Sequence, residues 1–226
     1  MIKHLAVIIV VTLMASSSYA KKTNNGHAFF RNKTGSTVVF AAFSHKYSNE
    51  FMNFGKITFV QPNNDYSRFR DKDGGDNKTV TWNTGFGTTG ADWWQLWFVK
   101  ENGELCVTSP NNFRGIFDGA DKIWDKMAHK AIATFDAIKG GQLSGVLKQN
   151  GGKLTNEYIQ KVEYIQDSIF RIIGSSSTST VGYKKHTLDS GDTGVVFEVW
   201  KDKVKIIDKG KGNDVSETNL KCQKAP

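Results

Sequence analysis

The sequence predicts a mainly β protein, an antiparallel β-sandwich with an amphipathic α-helical hairpin inserted between its strands. Three observations carry that prediction. Residues 27–118 alternate short runs of β-branched and aromatic side chains with clusters of Asn, Gly, Asp and Ser, the texture of strands and tight turns. Residues 183–207 resume that texture. Between the two, residues 119–174 place apolar side chains three and four positions apart, which is a helical period.

The elements follow in chain order. Lys3, an apolar run over residues 5–14 and the small residues Ser18 and Ala20 form the pattern of a signal peptide cut after Ala20. The expectation is a secreted, extracellular chain whose single domain spans 21–226. Ala28, Phe29 and Phe30 lead into a turn at residues 32–36, and residues 37–43 return as the second arm of a hairpin. A third short strand covers 56–60. Residues 61–78, with Pro62, Asn63, Asn64, Gly74 and Gly75, read as a long polar connection or a ragged edge hairpin. A strand at 79–82, a glycine-rich turn at 83–90 and the strongest strand, 93–99, come next. Both faces of that last strand are apolar, with Trp94, Leu96 and Phe98 on one and Trp93, Trp97 and Val99 on the other. Such a pattern marks a central strand, or one whose second face binds something. Asn102-Gly103 then signals a hairpin into a strand at 105–108.

The helical insertion is expected at about 119–174. Trp124, Met127, Ala131, Phe135 and Ile138 form the first stripe; Thr155 caps a second helix striped by Tyr158, Val162, Ile165, Ile169 and Ile172. A Ser/Thr-rich linker at 174–180 leads back to strands at 183–188, 195–200 and 203–207. The helical pair reads either as a lid packed on the sheet or as a hairpin that lies in a bilayer, with Trp124, Met127 and Phe135 as its membrane contacts.

A formal net charge of +8, of which Lys3 leaves with the leader, favours anionic partners: a glycan or an anionic lipid surface, with peripheral membrane association. Nucleic acid is not expected, because no run of five or six basic residues occurs. Cys106 and Cys222 are the only two cysteines, and an even pair in an exported chain points to a disulfide between the tail and the middle of the domain. The triplets Asn32-Lys33-Thr34 and Asn77-Lys78-Thr79 make Asn32 and Asn77 glycosylation candidates.

Motifs of chemistry fail on context. The glycines at 85, 87 and 90 match a dinucleotide fingerprint but open onto a strand, where the pyrophosphate needs a helix N-terminus. The loop Asp71-Lys72-Asp73-Gly74-Gly75-Asp76 places Trp82 where a calcium loop needs its bidentate Glu, so it reads as solvated. His27, His45, His129 and His186 have no metal-ligand spacing, and no GxSxG elbow occurs. No catalytic residue, metal or cofactor is expected. The aromatic group Trp82, Trp93, Trp94 and Trp97 reads as sandwich core or as a platform for a glycan or a membrane interface.

Ser44-His45-Lys46-Tyr47-Ser48, the block from Thr81-Trp82-Asn83-Thr84-Gly85 to Asp92-Trp93-Trp94, Asn111-Asn112-Phe113-Arg114 and Tyr183-Lys184-Lys185-His186-Thr187-Leu188 together resemble the "up-regulated in Daf-two" domain family, small exported proteins found notably in nematodes. The resemblance covers about 29–114 and 183–222 and leaves the helices outside it. It implies a small β-sandwich-like fold, secretion and no known catalytic residues. The expectation is therefore a secreted, non-enzymatic binding protein for glycan or anionic lipid surfaces, in stress or innate defence. Trp94 and Trp97, with His45, Tyr47 and Arg114 from the matching segments, are its ligand-contact candidates. The alternatives are a membrane-permeabilising protein that uses the helices, and an enzyme with an unrecognised site.

Overall fold

Period-two alternation becomes strands wherever one face can be buried, and the strands here close on themselves. The computed structural model describes residues 21–47, 51–71, 75, 80–85, 91–102, 104–108, 183–210 and 214–224. Among them the elements are β1 (Lys22–Asn32), β2 (Val38–Tyr47), β3 (Phe51–Val60), β4 (Ser67–Arg68), β5 (Val80–Thr84), β6 (Asp92–Lys100), β7 (Glu104–Thr108), β8 (Lys184–Lys185), β9 (Gly194–Val199), β10 (Lys203–Lys209) and β11 (Val215–Lys224).

One sheet runs in the order β3-β2-β6-β7-β11-β10-β9-β1-β4, with β5 on β1 and β8 on β6. This corrects the expected sandwich with a helical hairpin. Two registers make the difference. β11 pairs through Val215 to Asn219 with β10 and through Leu220 to Lys224 with β7, so one ten-residue strand carries the sheet round the corner without a break. At the far ends, Lys56 of β3 and Arg70, just past β4, exchange two backbone hydrogen bonds of 2.9 Å, and the path returns to its start. The result is a nearly closed, barrel-like sheet in place of two packed layers. No helix occurs among the described residues, and the expected insertion at 119–174 and linker at 174–180 lie outside them. The antiparallel expectation also has one exception: β1 runs parallel to β9, from His27↔Gly194 to Asn32↔Val199.

Gly194 permits that parallel pairing. Its φ is +147°, and a Cβ there would stand 1.8 Å from the His27 carbonyl oxygen.

The inward positions of the strands fill the barrel with rings. Phe43 of β2 meets Phe69 edge-on at 4.9 Å and Phe197 of β9 at 5.6 Å; Trp94 of β6 meets Phe197 at 5.7 Å, and Phe30 of β1 meets Phe98 of β6 at 6.1 Å. These contacts join opposite walls. Each such ring removes roughly 150–250 Å² from water, the dominant stabilising contribution of the fold. Gly55 of β3 stands opposite Phe43 because the ring occupies the space a side chain would take: a Cβ at 55 would lie 2.2 Å from a Phe43 ring carbon.

The expected central strand is borne out. β6 lies between β2 and β7, and Trp94, Leu96 and Phe98 on its inner face and Gln95, Trp97 and Val99 on its outer face are all buried. So is the disulfide. Cys106 and Cys222 face each other directly in the β7–β11 register, with an S–S distance of 2.04 Å, and pin the second half of β11 to the strand it reaches.

Candidate functional site

Two constellations of polar side chains stand out, one inside the barrel and one on its outer wall. The inner one begins on β2, where His45 points into the core and Trp94 stacks on its ring at 4.0 Å. His45 Nε2 lies 2.6 Å from Asp92 Oδ1, with both side chains fully buried. Its Nδ1 lies 3.0 Å from Asn53 Oδ1, an oxygen that already accepts the Thr81 N–H, so Nδ1 carries hydrogen and donates. Asp92 Oδ2 accepts the Leu188 N–H, and the Asp92 carbonyl accepts the His186 N–H. The Trp94 indole donates to the His186 carbonyl at 2.7 Å. The peptides around β8 are thereby clamped to the start of β6.

His186 extends the chain of bonds to the other half of the sheet. Its Nε2 is 2.6 Å from Asp208 Oδ1 on β10, and its Nδ1 is 2.9 Å from Ser216 Oγ on β11. Burial pushes His186 down to about 4, against the pull of Asp92 and Asp214. Burial also pushes Asp208 up to about 7, helped by the carboxylates of Asp192, Asp214 and Asp189. Between those values the proton resides on Asp208, which donates it to the neutral imidazole. Nδ1 then carries the second hydrogen and donates to Ser216.

Ser216, His186 and Asp208 have the residue types of a hydrolytic triad. While the proton is on Asp208 the imidazole donates to the serine, the reverse of what a nucleophilic serine needs; once Asp208 ionises, above about 7, that direction is no longer imposed. The arrangement ties β8, β10 and β11 together. Among the described residues, the one trio of side chains with ligand atoms close enough for a metal is Glu104, Cys106 and Cys222, and its two sulfurs are consumed by the disulfide.

The outer constellation lies on β1, β9, β10 and β11. Their registers align an apolar row, Phe29–Val196–Ile207–Val215, beside a charged row, Arg31–Glu198–Lys205–Glu217. Arg31 pairs with Glu198 at 2.9 Å, and Lys203 pairs with Glu217 at 3.1 Å, so both carboxylates are matched. Lys205 and Lys209 place their ammonium groups over the rings of Trp200 and Phe29, at 6.0 and 3.7 Å, and Arg31 lies over Tyr66 at 5.4 Å. Lys209 sits beside Gly194 in the register, and the missing side chain leaves room for it to lean across to Phe29. The exposed large hydrophobics among the described residues are Tyr66 at 57%, Val215 at 55% and Trp200 at 38%, and all three lie on this wall.

The site residues expected from sequence fall elsewhere. Trp94, His45 and Tyr47 are buried on the inner face, and Trp97 is buried on the outer side of β6 against Phe40 at 5.8 Å, so these four form no open aromatic platform. Arg114 and the membrane-contact candidates Trp124, Met127 and Phe135 lie outside the described residues, as does Asn77. Asn32 is fully buried; its amide nitrogen donates to the carbonyls of Ser36 and Val60, which leaves no room for a sugar in this state. Sequence reasoning missed Phe29, Tyr66, Trp200, Lys205 and Lys209. The available signal was the cationic group over 201–211, where Lys203, Lys205 and Lys209 share one side of a strand.

No curated protein sequence matches the chain. The family model described as Up-Regulated in long-lived daf-2 matches residues 25–210, most of the chain and nearly all of the barrel. The chain belongs to the family up-regulated in long-lived daf-2.

Proposed function

We propose that this protein is exported and acts as a non-enzymatic binding protein for anionic surfaces, a glycan or a lipid headgroup layer, through the outer wall of β1, β9, β10 and β11. The observation that carries the reading is the coincidence of exposed rings and cations: Tyr66 and Trp200 stand open on the same wall as Lys205 and Lys209. Among the described residues no carboxylate lies within ion-pair distance of either lysine. Rings with an apolar body and a polar tip, flanked by cations, suit a boundary between water and a negatively charged layer. The formal charge of +8, less the one of Lys3 that leaves with the leader, steers the molecule toward such a layer, and salt weakens the attraction.

The test applies the purified chain to immobilised dextran sulfate and to dye-loaded anionic vesicles, at low and physiological salt. Retention on at least one of them, weakened on adding salt, is expected. Failure on both overturns the reading, and dye release would add permeabilisation to binding.

A further inference from the structure

Resting on the proposed binding of anionic surfaces, we infer that the partner of the β1–β9–β10–β11 wall is an anionic phospholipid bilayer, on which the wall lies flat. The centre of the wall decides between a lipid and a sugar. Phe29, Val196, Ile207 and Val215 form a row across four strands, and none of their side chains carries a hydrogen-bonding group. A polysaccharide is held by amides, hydroxyls and carboxylates placed around a stacking ring. Val196 is itself buried, and the accessible part of the row, Phe29, Ile207 and Val215, offers aliphatic and aromatic carbon alone, which suits the boundary between headgroups and acyl chains.

The surroundings of the row have the matching chemistry. Tyr66 packs edge-on against Phe29 at 6.5 Å and remains open to solvent at one end of the row, and Val215 is open at the other. The Trp200 indole donates to Glu198 at 2.9 Å while its ring stays accessible, the disposition of an interfacial tryptophan. Lys205 and Lys209 rise from the same strand beside Ile207, where each ammonium can reach a headgroup phosphate or carboxylate while its stem covers apolar surface. Glu198 and Glu217 do not oppose the approach, because Arg31 and Lys203 match them. Among the described residues, Lys205 and Lys209 therefore stand over rings and not against a carboxylate, around an apolar strip.

Co-sedimentation of the full chain with mixed phosphatidylcholine–phosphatidylserine vesicles, and with pure phosphatidylcholine vesicles, tests the inference beside dextran-sulfate retention. Binding is expected to the mixed vesicles and not to the neutral ones. The double variant Lys205→Glu/Lys209→Glu should bind the mixed vesicles about tenfold or more weakly, and Ile207→Ser/Val215→Ser should lose the residual binding that persists in salt. Melting curves of both variants check that the barrel is intact; where the serine pair proves unfolded, Val215→Ser alone replaces it. Retention on dextran sulfate without vesicle binding overturns the lipid inference and leaves the anionic-surface reading standing. Absence of both overturns the two together, and vesicle binding unchanged by the charge reversal overturns the assignment to this wall.

Discussion

β2 and β10 belong to one sheet, yet every residue of β2 is buried while β10 alternates buried with half-buried positions and ends on the exposed Lys209. The difference governs what their polar side chains do. On β2, Ser44 must bond Tyr183 Oη at 2.8 Å, Lys46 lies over the Tyr183 ring at 4.6 Å, and His45 is fixed by Asp92 and Asn53. Burial lowers Lys46 and pushes Tyr183 up to about 12. A polar group shut away from water needs a partner inside the protein, so these residues are committed to structure. On β10, Lys203 pairs with Glu217, while Lys205 and Lys209 stand on the outer side of the strand over the rings of Trp200 and Phe29, where water reaches them. A side chain with unusual chemistry is thus no guide to a binding site until its access to solvent is known.

The sharpest way to break this contrast is to truncate one tryptophan from each environment. Trp94→Ala removes a fully buried ring, its stack on His45 and its bond to the His186 carbonyl, and should cost about 3–5 kcal/mol. Trp200→Ala on the open wall should cost less than about 1 kcal/mol. Urea unfolding of the two variants measures both, and equal losses would erase the distinction between inner and outer rings.

A second test uses pH. The folded state holds His186 at about 4, below its ordinary 6.5, so its contribution to stability is full above 6.5 and is lost as pH falls through 4. Asp208 is held at about 7, above its ordinary 3.8, so its contribution is full below 3.8 and is lost as pH rises through 7. Between roughly 4 and 6.5 the folded pair and the unfolded pair each bind one proton, on Asp208 in the first and on His186 in the second. The two slopes cancel. Asp208→Asn removes one of them, and the variant should then lose stability as pH falls from 6.5 to 4, by at most about 1.4 kcal/mol per pH unit. His186→Gln should do the reverse and lose stability as pH rises from 4 to 7. Thermal melts across that range check it; a single variant as flat as the parent would show that the proton is not shared in this way.

The strands β1 to β3 and β5 to β10 were legible because alternation and turn residues are local, while β4 fell in a stretch that reads as polar connection. Closure of the barrel was not, since a sandwich and a barrel share the same inward and outward periodicity. What separates them is register between distant segments: β11 pairing with both β10 and β7, and Arg70 bonding back to Lys56 across a stretch that reads as polar loop. The same limit hid the inner relay. His186 and Asp208 stand 22 positions apart and His45 and Asp92 stand 47 apart, and no spacing rule connects them. The Cys106–Cys222 bond was legible at a separation of 116 because only two cysteines exist to be joined. The outer wall was half legible: residues 201–211 are visibly rich in lysine, while the exposed Tyr66 sat in a segment with no strand texture and Trp200 gave no sign that it would face outward.

The smallest expected effect sharpens the comparison from the other side. Lys205→Ser/Lys209→Ser deletes two ammonium groups and two cation–π contacts on the open wall. Exposed contacts of this kind contribute about 0.5–1 kcal/mol each at most, and the loss is offset by relief of repulsion among neighbouring cations. The melting temperature should therefore move by no more than a few degrees, while attachment to an anionic surface falls steeply. Ser44→Ala on β2 should show the opposite balance, lowering stability by about 1–3 kcal/mol through the stranded Tyr183 hydroxyl and leaving attachment unchanged. Stability and binding would then be carried by a covered and an open stretch of the same sheet, and a variant of the lysine pair that unfolded the protein would show instead that those cations hold β1 and β10 together.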